Sequence, residues 1–382
     1  MLEESQHESF VDYVRYLNTL DLNDKEKRRR ISFFLEGKAR ERGIPIHGCF
    51  ELTPLCNLDC KMCYIHLSGK DFDANRLLSS EKWIDIVDQA RNAGMRKATL
   101  TGGECLTYGD FDSVYLYLIK HNISVTVMTN GVFLDEKRID FFKKYKPANI
   151  QLSLYGSDEK SYEKVTGHRV FEKVFTNICA IKDAGLRLQI AITPNKYMYE
   201  DMHRLIDFVH SLNLPYEVNC KLTTPRKNTG RNLEDMTLDQ YVEIYRLRAE
   251  KVNMELIPNT PEELPMTNRE RRNDKGLLCG AGMSSFAVSY DGYMMLCNSL
   301  DEYKLPISEL GFNRAWEKLH ALAINYPIPG ECSRCSYFHV CIHCQGLHKD
   351  APKGHCNQEI CERTRKLAEA GFFRYKGKKE NE

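Results

Sequence analysis

The residues with the most specific chemistry stand in one short run, LTPLCNLDCKMCYIH, where Cys56, Cys60 and Cys63 are separated by three and then two residues. Three thiolates on one loop can hold three irons of a four-iron cluster and leave the fourth iron without a protein ligand. That open iron calls for a ligand from outside the chain. A structural zinc would need four closed ligands, and His66 lies too near in sequence to complete the set with good geometry. Farther along, ATLTGGECL sets Gly102, Gly103 and Glu104 at the end of an apolar run. Paired glycines let a backbone approach a ligand closely, and a carboxylate beside them suits an ammonium group.

A second group of cysteines crowds the end of the chain. Cys279 and Cys297 bracket CGAGMSSFAVSYDGYMMLC, CSRCSYFHVCIHC supplies Cys332, Cys335, Cys341 and Cys344, and GHCNQEIC supplies Cys356 and Cys361. Eight thiolates suffice for two fully ligated four-iron clusters, whereas a zinc ribbon would use four and leave four without a task. Of the fifteen cysteines, Cys49, Cys105, Cys179 and Cys220 remain. They stand singly in apolar surroundings and read as packing residues, although Cys105, next to Glu104, could also face the site. Asp291, in SYDGY, reads as a turn residue, with Tyr290 and Tyr293 as packing residues or proton partners.

Alternating strands and helices must position these groups. Strands are expected at Gly48–Thr53, Ala98–Thr101, Ser124–Thr129, Asn149–Tyr155, Arg187–Thr193 and Tyr216–Leu222, short segments rich in β-branched and aromatic residues. Helical periodicity fills the gaps near 80–93, 110–121, 135–145, 158–184 and 199–212. That alternation implies a parallel sheet, open or curled into a partial barrel, with its chemistry at the C-terminal ends of the strands. Residues 1–47 read as a charged helical segment, whose KEKRRR run solvates a helix face. Residues 223–278 read as a polar connector with a helix at Leu238–Val252 and a linker around Pro258, Pro261 and Pro265.

Composition narrows the function. The chain has 382 residues, 42% hydrophobic and 28% charged, with 54 basic against 53 acidic side chains. A net charge of +1 offers no general attraction to nucleic acid, and no apolar run is long enough to span a membrane. The N-terminus lacks a basic segment followed by an apolar one, so a cytoplasmic location is expected, where so many cysteines point to metal rather than disulfides.

The loop at Cys56–Cys63, the glycine pair and the strand–helix alternation over about residues 48–222 resemble the radical S-adenosylmethionine (SAM) enzymes. The resemblance implies an α/β partial (β/α)6 barrel in residues 48–222. It also implies a four-iron cluster on Cys56, Cys60 and Cys63, with SAM chelating its open iron and meeting Gly102, Gly103 and Glu104 through its amino group. Thr129 and Asn130, in MTNG, and Ser153, in QLSLYG, fall where the family commonly meets the methionine or ribose of SAM. Met62 stands where an aromatic residue is frequent, which leaves the adenine to Met62, Tyr64 or the backbone.

The terminal block, 279–382, resembles the SPASM extension of that family, which carries two auxiliary clusters. By position, Cys279, Cys297 and Cys344 would serve one, and Cys332, Cys335 and Cys341 the other, completed by Cys356 or Cys361. The implied function is generation of a 5′-deoxyadenosyl radical that oxidatively modifies a peptide or protein, with a flavodoxin- or ferredoxin-type donor of low-potential electrons. Dehydrogenation or epimerisation of a small molecule, and sulfatase maturation, are the other enzymatic readings; Asn298, after Cys297, departs from the acidic residue common in sulfatase maturases. A non-catalytic iron–sulfur electron carrier is the reading of a different class.

Overall fold

The computed structural model describes residues 9–65, 72–219, 225–226, 236–252, 254–256, 276–338, 340–341, 344–347, 355–373 and 375–377. His66, Cys220, most of TTPRKNTGRN and the segment holding Pro258, Pro261 and Pro265 lie outside the described residues. Two helices lead the chain, α1 (Phe10–Thr19) and α2 (Asp24–Glu41), joined by a small core of Tyr13, Leu17 and Phe34. Asn23 and Glu26 cap α2 reciprocally, satisfying backbone donors that its first turn would otherwise leave open.

Strand and helix then alternate: β1 (His47–Glu51), α3 (Ser80–Asn92), β2 (Lys97–Thr101), α4 (Phe111–Lys120), β3 (Ser124–Thr129), α5 (Glu136–Lys144), β4 (Asn149–Ser153), α6 (Glu159–Thr166), α7 (Phe171–Asp183), β5 (Leu188–Ile192), α8 (Met202–Ser211) and β6 (Tyr216–Val218). The six strands pair in chain order and all run parallel. Among the described residues the sheet does not close on itself, because β6 forms one edge. The expected helix at 158–184 is two helices. Gly167 ends α6 in the left-handed region at φ 73°, a conformation a side chain would resist, and the chain turns before α7 begins.

Register separates the faces of this sheet. Phe50, Leu100, Val125, Val127, Ile150, Leu152, Ile190 and Ile192 pack in one core with helix residues such as Trp83, Ile86, Val114 and Leu205. On the opposite face the same ladders align Cys49 with Thr99, Glu51 with Thr101, Thr126 with Asn149 and Gln151 with Gln189. That face is polar and internally bonded. His47 Nε2 lies 2.9 Å from Thr99 Oγ1, and the Glu217 carboxylate accepts from Gln151 (2.5 Å) and Gln189 (3.4 Å). At the N-terminal end of β2, Lys97 donates to Ser32 and Glu36, which fastens α2 there.

The rest of the chain extends the same sheet. After α9 (Leu238–Lys251) and β7 (Met254–Leu256), strand β8 (Ser285–Val288) pairs in parallel with β1; β9 (Tyr293–Met295) and β10 (Leu305–Pro306) follow antiparallel, giving nine strands. Short α10 (Ile307–Leu310) leads into α11 (Phe312–Ile324), where the Trp316 indole donates to Gly43 O at 2.7 Å and Phe286 meets Phe312 edge-on. Last come α12 (Gln358–Glu369) and β11 (Tyr375–Gly377), the latter paired with β7. Among the described residues no helix is long and apolar enough to cross a membrane.

Candidate active site

Just beyond the C-terminal end of β1, the cysteine loop is stitched down on two sides. Toward β2, the amides of Gly103 and Glu104 donate to the carbonyls of Thr53 (2.7 Å) and Leu55 (2.8 Å). Toward α6, Asp59 N donates to Thr166 O and Lys61 N to Val165 O, each at 2.9 Å. This tight seam explains the glycine pair. A Cβ on Gly102 would lie 2.3 Å from Thr53 O, and one on Gly103 2.3 Å from Leu55 O, so the missing side chains admit the loop itself.

Glu104 reaches from β2 to β3. Its carboxylate is fully buried and accepts from Leu106 N (3.1 Å), the Thr129 hydroxyl (2.9 Å) and Asn130 N (2.7 Å). Burial pushes its pKa above the ordinary carboxylate value, while these donors pull the other way. Thr129 and Asn130 are buried beside it, and the Asn130 amide continues to Asn57 Oδ1 (2.9 Å) and Cys56 Sγ (3.7 Å). Gly102, Gly103, Glu104, Thr129 and Asn130 are thereby drawn together around the loop. Ser153 ends the neighbouring strand β4, and Tyr155 just beyond it lies within electrostatic reach of Cys60 and Cys63.

Cys60 is buried, whereas Cys56 and Cys63 are half-buried. Burial pushes the Cys56 thiol up to about 11, with Glu104 and Cys63 adding negative neighbours, although Leu58 N donates to its sulfur at 3.4 Å. Among the described residues no three His, Cys, Asp or Glu side chains converge on one ion. The Tyr162 hydroxyl is buried with no hydrogen-bond partner among the described residues and lies within electrostatic reach of Cys60, so it could donate to a group held by that thiolate.

The terminal cysteines fall into two groups. Cys297 is neighboured electrostatically by Cys344 and Cys279. Cys332, Cys335, Cys341, Cys356 and Cys361 line one cavity of about 80 Å³, where Thr364 donates to Cys341 Sγ at 3.7 Å. Burial raises the thiols of Cys356 and Cys361 to about 12 each. Cys105 is buried and donates to Met128 O at 3.2 Å, a packing position.

Sequence reasoning missed a charged hub between the loop and the terminal segment. Arg226 forks onto Glu51 through both terminal nitrogens, at 2.9 and 2.6 Å, donates to Asn298 O at 3.1 Å and approaches Asp301 at 3.5 Å. Its backbone N donates to Tyr64 O, and its guanidinium stands 5.8 Å from the Tyr64 ring. Tyr64 therefore belongs to this hub, which joins the residue after Cys63 to the residue after Cys297. Cys49 points toward the same region, its thiol raised to about 12 by burial and by Glu51. The signal available in the sequence was Glu51 itself, a charge ending an apolar strand immediately before the cysteine loop.

Residues 50–209 match the model of the radical SAM superfamily. The chain is 23% identical over 363 residues to the antilisterial bacteriocin subtilosin biosynthesis protein AlbA of Bacillus subtilis (strain 168), covering 87% of this chain and 76% of AlbA. It is also 23% identical over 272 residues to the sporulation killing factor maturation protein SkfB of the same organism, covering 70% of this chain and 63% of SkfB, just under two thirds of that relative. Among solved structures, Streptococcus suis SuiB bound to S-adenosylmethionine superposes with a TM-score of 0.67 at 16% identity, covering 92% of this chain and 86% of SuiB, which shows a shared fold. A cysteine loop at the C-terminal end of the first of six parallel strands, the glycine seam beside it and the match over residues 50–209 agree: this chain contains a radical SAM domain.

Proposed function

We propose that the protein is a radical SAM maturase that oxidatively modifies a peptide, forming a cross-link or an oxidised side chain. The observation that carries this reading is the similarity to AlbA, named for biosynthesis of a bacteriocin and covering 87% of this chain, and to SkfB, named for maturation of a killing factor. When bound, a four-iron cluster and SAM supply a carbon-centred radical that abstracts a hydrogen atom from the substrate. The chain's own part is to hold and enclose. Cys56, Cys60 and Cys63 would bind the cluster, and the segment Gly102–Glu104, with Thr129, Asn130 and Ser153, would flank SAM.

The cavity walled by five cysteines and the separate grouping of Cys279, Cys297 and Cys344 support two auxiliary clusters of SPASM type. Cys332, Cys335 and Cys341, with Cys356 or Cys361, and Cys279, Cys297 and Cys344 would hold these clusters, which would provide a sink for the electron left over from oxidation, while a flavodoxin- or ferredoxin-type partner would be the donor of low-potential electrons. Asn130 and Tyr162 would direct hydrogens at the sulfurs, and the polar inner face of the sheet would orient the substrate carbon and keep bulk water away. The test combines iron-reconstituted protein, SAM and dithionite with, as candidate substrates, the peptides translated from any short open reading frames found beside its gene. The expected result is 5′-deoxyadenosine together with a peptide lighter by a pair of hydrogen atoms per modification. Cleavage of SAM with the peptide left at its original mass would refute the substrate.

A further inference from the structure

We propose that the Asn130 carboxamide is a redox-tuning donor to the Cys56 sulfur, and that the buried Glu104 carboxylate serves to hold it there. This rests on reading Cys56 as a cluster ligand. The orientation of the amide follows from its partners: Asn130 Oδ1 accepts from Val132 N at 3.1 Å, so the nitrogen must face the other way. Turning the group over would set an NH2 against that backbone N–H. Two hydrogens are then directed at the cysteine loop, one to Asn57 Oδ1 at 2.9 Å and one to Cys56 Sγ at 3.7 Å, a long approach that the large radius of sulfur accommodates.

Nothing leaves the amide free to swing away. Asn130 N is bonded to Glu104 Oε2, Thr129 Oγ1 to Glu104 Oε1, and both residues are buried. Glu104 sits at 1% exposure and spends its lone pairs on this turn and on Leu106 N, so its carboxylate acts as a brace between β2 and β3. Hydrogen bonds to the sulfurs of an iron–sulfur cluster stabilise its more negative, reduced form and raise its potential, and groups one shell out from the ligands set such properties. Among the described residues Cys56 receives two donors, Leu58 N from its own loop and Asn130 from the end of β3. The second is the adjustable one, because it comes from a side chain.

The test is an electron-paramagnetic-resonance redox titration of the full-length, anaerobically reconstituted protein, with SAM as the probe that marks which cluster signal is being followed. Asn130→Ala removes both side-chain donations but keeps the backbone N–H for Glu104. The SAM-responsive signal is expected to titrate at a more negative potential than in wild type. Asn57→Ala removes the competing acceptor and should leave the potential unchanged or move it in the opposite direction. If Asn130→Ala holds no cluster, Asn130→Asp carries the test: it keeps the bond from Val132 N, turns an oxygen toward the sulfur, and should give the most negative value. An Asn130 variant with full iron content and the wild-type potential overturns the proposal. So does an Asn57→Ala shift as negative as that of Asn130→Ala, since that would report a loosened loop. A wild-type protein that acquires no SAM-responsive cluster overturns the radical SAM reading and this inference together, an outcome plainly distinct from an unshifted potential.

Discussion

Replacing Glu104 with Gln separates the brace from a simple ligand contact. The carboxylate has two acceptor oxygens, one shared by Leu106 N and the Thr129 hydroxyl, the other taken by Asn130 N. Glutamine offers one. If its oxygen takes the first place, its NH2 faces the Asn130 N–H; if it takes the second, its NH2 faces the Leu106 N–H. Either way one buried backbone donor loses its acceptor, at a cost of about 1–3 kcal/mol. Against this, the neutral side chain escapes the desolvation that raises the pKa of Glu104, so a net loss of about 1–2 kcal/mol is expected. For a cooperative unit of about 150–250 residues, each kcal/mol lowers Tm by about 2–4 °C. The assay is thermal unfolding of the iron-free protein followed by circular dichroism, with a drop of about 2–8 °C predicted. A Glu104→Gln variant that melts with wild type would mean that the acid is protonated when folded, so that glutamine merely copies it, and the brace argument would fail.

Other perturbations follow from the same geometry. Arg226→Met leaves Glu51 buried without its partner and should cost about 3–5 kcal/mol in urea unfolding; an undiminished stability would contradict the hub. Gly103→Ala drives a methyl into Leu55 O, so iron retained at the Cys56–Cys63 loop after reconstitution should fall, measured by the SAM-responsive resonance signal; normal occupancy would show that the seam yields. Cys332→Ala or Cys341→Ala should each lose about four irons per chain by colorimetric iron analysis while SAM cleavage without peptide persists; unchanged iron content would remove the second auxiliary cluster.

Much of the sheet was legible because each of β1–β6 is a short apolar or alternating run set between helices, and local pattern decides such elements. The break at Gly167 was missed because apolar periodicity continues on both sides of it, and only the left-handed conformation of that glycine reveals the turn. Extension of the sheet by β8–β10 was invisible for another reason. SFAV and YMM are too short to stand out around an Asp-Gly turn, and the pairing of Ser285–Val288 with β1 joins residues far apart in the chain. At the site, cysteine spacing announces the loop, whereas the purpose of GGE depends on what a Cβ would strike. Arg226 sits in a polar connector with no local pattern, and its partner Glu51 is 175 positions away.

The most direct test of the account is the yield of 5′-deoxyadenosine from SAM and dithionite, compared between the reconstituted wild-type protein and a variant in which Cys56, Cys60 and Cys63 are all alanine. The account predicts reductant-dependent release by wild type and none by the variant, which keeps its terminal cysteines and their iron. A wild-type protein with full iron content that releases none, or a variant that releases as much, would contradict it.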